Sequence, residues 1–527
     1  MSYNSPLYLF MFLPVVLLIY RFIPQRHRWK LLLMASYIFF YIFSGKLLLY
    51  LLASTFSIHH IGLWLSSCKK KYTEKKKTAE DKAAFKIIYK RKRRSILWFG
   101  IILQIGALLF LKYFNFFGQN VNHILNWVSS PLLLPTLKLA LPLGISFYTL
   151  QAVSYIVDVY YEKIEADDNL GRLALYMSFF PIIMEGPICR YSQTATDLYE
   201  CKSLEYHNVT FGIQRIVWGL FKKLVIADRL NPLVKLVFDQ HESYSGIIVI
   251  VAAVCYTFQL YMDFSGCIDI TIGTGQIFGI TIPENFRQPF FSKTSAEFWR
   301  RWHITLGAWL KDYIFYPIAL TKFVKNLGKK TRVRFGKHMG QIISSSVALF
   351  GVWICSGIWH GVGWNYIFYG MYYFVMILCG SIFEPLVEKT TAILHINRDG
   401  IPYRIFQSVK LLLIVFIGEL FFRANGLRAG IAMFKSIFSG FELATITNGS
   451  LLQLGLTKHD FAAVLFGLLV VLVVGIIHEK GVSIREKVAD WNIVFRWSFY
   501  YATILLIAVL GAYGAGCAPV DLIYASF

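Results

Sequence analysis

The sequence predicts an all-α, polytopic membrane protein, a single integral membrane domain over residues 1–527. About twelve transmembrane helices with additional re-entrant helices are expected from the length rule for hydrocarbon crossings. Three observations carry this. Of 527 residues, 56% are hydrophobic and only 16% charged, where a soluble chain runs near ~25% charged. The charge is lopsided, 53 Lys+Arg against 30 Asp+Glu for a net +23. The basic residues also cluster between apolar spans, the pattern of a membrane chain with positive loops and not of a nucleic-acid binder. Disordered and collagenous classes fall to the apolar content. Eight cysteines without a CxxC pair give neither a disulfide framework nor a zinc site, and no metal centre is expected.

Taken in order, apolar candidates lie near 6–23, 31–43, 47–66, 96–113, 137–160, 171–188, 211–236, 246–262, 265–282, 341–359, 363–384, 409–423, 461–478 and 497–513. The first has no basic leader and no small-residue cleavage site, so it reads as a helix and not as a removed signal. Arg21, Arg26, Arg28 and Lys30 place the first loop inside and the N-terminus outside. Residues 69–94 carry thirteen basic and three acidic side chains, a cytoplasmic basic loop with a secondary affinity for anionic lipid headgroups. Lys322–Lys337 holds seven basic residues and no acid, so it too is inside. Residues 424–460 read as an outer loop with a short amphipathic helix near 429–438. No Lys or Arg follows Arg496, which puts the tail, 514–527, on the outer face.

Polarity in the wrong place is the informative feature of such a chain. Glu284–Tyr316 interleaves Glu297, Arg300, Arg301, His303, Lys311 and Asp312 with Phe298, Trp299, Trp302, Trp309 and Tyr313. It is too charged to cross lipid and too aromatic for a solvated loop. Either it lines a cavity or it forms an interfacial helix with snorkelling bases. In Trp353–Tyr369, His360 stands between Ser356-Gly357 and Gly361-Val362-Gly363, the pattern of a broken helix around a buried site. A hydrogen-bonded core histidine is the plainer alternative. A neutral imidazole in this place suits proton abstraction from a hydroxyl. Asp263 and Asp269 lie in or beside an apolar span, where pairing with Lys222, Lys223 or an Arg near 300 is favoured over a proton relay. The glycines from Gly273 to Gly279 have the wrong spacing for a dinucleotide loop and read as helix-packing positions.

FWRRWHITLGAWLKDYIFYP (298–317) and GIWHGVGWNYIFYG (357–370) resemble the two signature segments of the membrane-bound O-acyltransferase (MBOAT) superfamily. SPLYLFMFLP (5–14), LPLGISFYTLQAVSYIVDVY (141–160), SFFPIIMEGPICRY (178–191), GLFKKLVIADRL (219–230), QLYMDFSGCIDITIG (259–273) and ELFFRANGLRAGIAMF (419–434) extend the likeness along the chain. The nearest branch is that of the alginate O-acetylase membrane subunit in bacterial cell membranes. The resemblance implies a helical ring around a central tunnel with a histidine at its constriction. His360 then matches the catalytic histidine and His303 the second motif histidine. Arg300, Arg301, Trp302, Lys311, Asp312, Trp359 and Asn365 become candidate substrate-binding residues.

The chain ends DLIYASF, and Tyr524 resembles the acyl-accepting tyrosine of the small partner peptide in D-alanylation systems. The expectation that follows is an acyl relay. No cofactor is bound. Acetyl-CoA or a related thioester is the donor, His360 the base, and Tyr524 the attacking hydroxyl. An extracytoplasmic partner of the SGNH hydrolase type passes the group to a polysaccharide or cell-wall glycan. The alternatives are D-alanyl transfer to teichoic acids and, in another class, transport of a lipid-linked glycan.

Overall fold

In lipid, backbone N–H and C=O groups find partners only within a helix or a closed barrel, and apolar runs of this length take the helix. The computed structural model describes residues 2–76, 81–129 and 132–513, and every regular element among them is helical. The α-helices are α1 (Leu13–Phe22), α2 (Gln25–Ser44), α3 (Leu48–Lys75), α4 (Lys82–Leu108), α5 (Phe114–Trp127), α6 (Ile145–Tyr160), α7 (Leu170–Ser178), α8 (Tyr191–Glu200), α9 (Tyr206–Leu220), α10 (Asp228–Asp239) and α11 (Ile247–Ile277). They continue with α12 (Ser295–Arg301), α13 (Ile304–Leu310), α14 (Tyr316–Ala319), α15 (Lys322–His360), α16 (Trp364–Ile393), α17 (Ile401–Arg423), α18 (Leu427–Ser436), α19 (Lys458–Glu479), α20 (Ile484–Ala489) and α21 (Ile493–Leu510). Wider π-helical turns interrupt the series, among them Phe221–Ala227 and Lys311–Phe315.

Among the described residues, eight helical stretches are long and apolar enough to cross a membrane. The protein is therefore a multi-pass membrane protein, and the expected count of twelve crossings is not confirmed. Several sequence boundaries move for identifiable reasons. The spans expected at 246–262 and 265–282 are one 31-residue helix, α11, within which Asp263 and Asp269 are paired side-on with lysines. The span expected at 171–188 shortens to α7, which ends at Ser178. The basic stretch 69–94 is not an irregular loop: α3 runs to Lys75 and α4 starts at Lys82, capped by Asp81, whose carboxylate accepts from two backbone amides. The amphipathic helix expected near 429–438 is α18.

The chain divides into two units by internal contacts. The first comprises Met1–Ile213 and Thr271–Pro283. Its core is aromatic: Tyr3 and Phe39 stack at 5.6 Å, and Phe12 meets Phe180 edge-on at 5.2 Å. The Tyr3 hydroxyl donates to the Phe180 carbonyl at 2.8 Å. Arg93 donates to the Tyr160 carbonyl at 2.6 Å and pairs with Glu162 at 2.8 Å, and Lys69 reaches the same carboxylate at 3.0 Å. Those two cations hold the Glu162 carboxyl below its ordinary range. Some of the basic stretch thus fastens helices as well as setting topology. Close approach explains the glycines near 273: a side chain at Gly212 would lie 2.6 Å from the Gly273 carbonyl oxygen, and one at Gly275 2.4 Å from Ile282.

The second unit comprises Gln214–Ile270 and Glu284–Phe527, and buried ion pairs organise it. The π turn Phe221–Ala227 aims two adjacent lysines at α11. Lys222 pairs with Asp269 at 2.5 Å and donates to Ser265 at 2.9 Å. Lys223, with no exposed side-chain surface, lies 2.5 Å from Asp263 and 2.7 Å from Asp228. Arg215 bridges Asp269 at 3.0 Å and grips both oxygens of Glu284 at 2.6 Å. Pairing, the favoured sequence expectation for the two intramembrane acids, is the arrangement found. The helices come together through glycine, since a Cβ on Gly219 would stand 2.4 Å from the Gly266 carbonyl.

Removing one member of such a cluster strands the others as buried charge, a loss of about 3–5 kcal/mol. Lys223→Met is therefore expected to lower the melting temperature of the detergent-purified protein sharply. Adding Asp263→Asn and Asp228→Asn to it should recover most of the loss. Thermal unfolding followed by size-exclusion chromatography or intrinsic fluorescence reads both.

Candidate active site

His360 is the last residue of α15 and is 2% exposed. The helix runs unbroken through Ser356 and Gly357, so the first of the two turns expected around His360 does not exist. Gly357 serves packing instead: a Cβ there would sit 2.6 Å from the Tyr366 carbonyl, and one on Gly370 2.3 Å from the Trp353 carbonyl. This seam lets α15 and α16 approach at backbone distance. The chain breaks only at Gly361, in extended conformation, before α16 begins at Trp364. The imidazole therefore stands at a helix end among aromatic rings. Trp359, Tyr369 and Phe422 meet it edge-on, with centroids at 5.1, 5.8 and 5.4 Å.

His303 joins two short helices, α12 and α13, and takes left-handed backbone angles (φ 46°, ψ 51°). Histidine is among the few non-glycine types that visit this region with any frequency. Its backbone is locked against the segment at 285–287: Ile304 N–H donates to the Asn285 carbonyl and Arg287 N–H to the Arg301 carbonyl, both at 2.9 Å. The Asn285 side chain then sets the ring. Its Oδ1 accepts from the Thr305 amide at 3.1 Å and the Thr305 hydroxyl at 2.8 Å, and lies 3.2 Å from His303 Nδ1. A backbone N–H can only donate, so that atom is the carbonyl oxygen, Nδ1 carries the proton, and Nε2 holds the lone pair. His303 is 1% exposed and lies outside the eight long apolar helices. Burial first, and the neighbouring His360 second, push its imidazole pKa well below the ordinary value.

Trp359 is the common neighbour, 5.6 Å from the His303 ring and 5.1 Å from His360. The structure thus brings His303, Trp359 and His360 into one buried cluster. The other sequence candidates are placed differently. Trp302 is buried among Tyr261, Phe286 and Phe298, at 5.7, 5.1 and 5.4 Å. Arg301 pairs with Glu297 at 3.0 Å and with Glu479. Arg300 and Lys311 are exposed, Lys311 lying over the Tyr316 ring, and Asp312 is half-buried. The Asn365 amide donates toward the carbonyls of Phe421, Phe422 and Ala424 at 3.3–3.5 Å, closing the end of α17 beside Phe422. Tyr524 lies outside the described residues.

Four neighbours were not singled out from the sequence. Asn285, Tyr369 and Phe422 carried no signal beyond their presence in polar or aromatic stretches. Glu419 carried one, being a lone acid in the apolar run 409–423, the same irregularity that marked Asp263.

The description "MBOAT, membrane-bound O-acyltransferase family" matches residues 37–422, a span that includes both histidines. The probable alginate O-acetylase AlgI of Pseudomonas aeruginosa is 30% identical over 440 residues, covering 83% of this chain and 75% of that protein. The peptidoglycan O-acetyltransferase of Helicobacter pylori is 30% identical over 468 residues, 82% of this chain and 79% of that one. The teichoic acid D-alanyltransferase of Bacillus subtilis is 32% identical over 251 residues, 47% and 60% respectively. With two buried histidines around one tryptophan and a family match over most of its length, the chain belongs to the membrane-bound O-acyltransferase family and is an O-acyltransferase.

Proposed function

We propose that this protein moves an acetyl group from a cytoplasmic thioester, acetyl-CoA or a relative of it, to the outer face of the membrane for O-acetylation of a polysaccharide or cell-wall glycan. The observation that carries the reading is the His303–Trp359–His360 cluster, sealed from solvent in a chain alike over four-fifths of its length to alginate and peptidoglycan O-acetylases.

In the proposed chemistry His360 takes the proton of an attacking hydroxyl as its oxygen adds to the thioester carbonyl. The tetrahedral adduct collapses, the C–S bond breaks, and the thiolate leaves with the proton from the imidazolium. An O-acyl ester and a free thiol result. His303, with its Nδ1–H held by Asn285 and its Nε2 lone pair as an acceptor, favours the positive charge that develops on the neighbouring His360 imidazole. Tyr524 is the proposed hydroxyl, and the lack of Lys and Arg between Arg496 and Tyr524 supports an outer position for it. The acyl-tyrosine would pass its group to an SGNH-type partner and regain its proton. Arg300 and Lys311, exposed and basic, would attract the anionic donor on the inner face, and Trp302, Trp359, Arg301, Asp312 and Asn365 would shape the path. D-alanyl transfer is the second reading, favoured by the likeness to the teichoic acid enzyme. Offering acetyl-CoA and a D-alanyl-charged carrier in parallel separates the two.

His360→Ala should reduce thioester consumption in proteoliposomes by about a hundredfold or more at normal expression, and full retained activity would sink the assignment. Asn285→Ala frees the His303 ring and is expected to lower kcat by about tenfold while leaving KM for the donor unchanged, the signature of a contact used in the transition state. Tyr524→Phe should abolish glycan acetylation, measured by mass spectrometry of envelope polysaccharide. Unchanged acetylation would mean another nucleophile.

A further inference from the structure

One buried ionisable group in the second unit stands outside the mechanism and outside the ion-pair cluster. Glu419, on α17, has no exposed surface. Its Oε1 accepts a hydrogen bond from the Tyr369 hydroxyl at 3.0 Å, whereas Oε2 has no protein partner. Among the described residues no Lys, Arg or His pairs with it. Burying a carboxyl on one hydrogen bond is unfavourable, and a leucine would occupy the place without that penalty. An ionisable residue left in a membrane span on such terms marks function by default.

The position of its one partner says what the function is. The Tyr369 ring meets His360 edge-on at 5.8 Å and Phe422 at 4.9 Å, and Phe422 itself contacts His360. Glu419 and Phe422 are three residues apart, on neighbouring positions of one helix face. The same turn of α17 therefore supplies one wall of the histidine and the anchor of a second. Behind Tyr369 lies a rigid backing. Tyr373 meets it at 5.0 Å, Trp353 stacks on Tyr373 at 5.6 Å, and Trp299 closes on both at 4.9 and 4.8 Å. α17 comes near enough to place the carboxyl because residue 418 is glycine; a Cβ there would stand 2.7 Å from the Tyr373 hydroxyl oxygen.

We infer that Glu419 is a positioning residue for acyl transfer: its carboxyl fixes the Tyr369 hydroxyl, and Tyr369 fixes the His360 imidazole in the orientation the reaction uses. The inference rests on the proposed role of His360 as base. Apolar contacts alone hold a ring in place but leave it free to rotate or slide. A hydrogen bond at the far end of the tyrosine converts a packed wall into a pinned one, and catalytic geometry is sensitive at the level of an ångström.

The test uses the full-length protein in nanodiscs with acetyl-CoA as probe. The variants are Glu419→Leu, Glu419→Gln, Tyr369→Phe and the double Glu419→Leu/Tyr369→Phe. Tyr372→Phe is the control, its hydroxyl bonding only to the Ile414 carbonyl in the structure. Glu419→Leu and Tyr369→Phe should each lower kcat about tenfold at unchanged KM. The double variant should be no slower than either single one, and Glu419→Gln, which keeps an acceptor for Tyr369, should stay within about threefold of the parent. Independently of turnover, the ¹⁵N resonances of the His360 ring should shift in Tyr369→Phe and Glu419→Leu but not in Tyr372→Phe. Should Glu419→Leu fail to fold, the near-isosteric Tyr369→Phe carries both measurements. Parental kcat in Tyr369→Phe, multiplicative losses in the double variant, or unmoved His360 resonances would overturn the inference. Retained turnover in His360→Ala would instead overturn the reading of His360 as base.

Discussion

Lys223 lies with no solvent-exposed side-chain surface between two carboxylates, and the second unit is arranged around making that tolerable. Charges removed from water without partners are expensive by several kcal/mol each. The chain answers by setting cations against acids in a lattice of two adjoining ion-pair clusters. Lys222, Lys223 and Arg215 are set against Asp228, Asp263, Asp269 and Glu284. The lattice fixes the register of α9 and α10 against α11, and it reaches Glu284, next to Asn285. The residue that sets the tautomer of His303 is thus adjacent in sequence to one clamped by Arg215. The catalytic candidates sit on a framework whose geometry is held by ions and not by apolar packing alone.

The two histidines are presented by different means. His303 is held through hydrogen bonds: its backbone is pinned to the segment at 285–287 and its ring to an amide oxygen that also serves Thr305. His360 is held by shape, at a helix end amid three edge-on aromatic rings. Hydrogen-bonded support selects a tautomer, since it dictates which nitrogen of the neutral ring carries the proton. Aromatic support selects an orientation and leaves the proton free to move. That difference suits a pair in which one imidazole stays neutral and the other cycles.

Much of this was legible in the sequence, and the limits are physical. His303 and His360 stood out because a titratable group in an apolar or aromatic stretch breaks the pattern of a membrane chain. Asp263 and Asp269 stood out for the same reason, and their pairing with Lys222 and Lys223 followed from the cost of isolation. Asn285 did not stand out. An amide has no charge to look misplaced, and what it does depends on Thr305 and His303 folding back onto it. Glycine was ambiguous: Gly357 looked like a helix break and proved a contact point, because the same missing side chain permits either. Helix count suffered likewise. Paired polar residues within α11 mimic the polar gap between two helices, and a sequence does not show which side chains a neighbour will satisfy.

The π-helical turn at Phe221–Ala227 has a consequence for how this chain can change. A π turn bonds i to i+5 and contains one residue more than the α-helical turn it replaces. Loss of a single codon there would let the segment relax to ordinary helix, with every backbone group still bonded. The helix on either side would keep its facing, because the wide turn already absorbs the extra residue within one revolution, and only the side chains of the turn itself, Lys222 and Lys223 among them, would be re-aimed. The extra residue is consequently what presents Lys222 and Lys223 toward Asp269 and Asp263, and its loss would cost those pairings without changing the register of the helices that flank it.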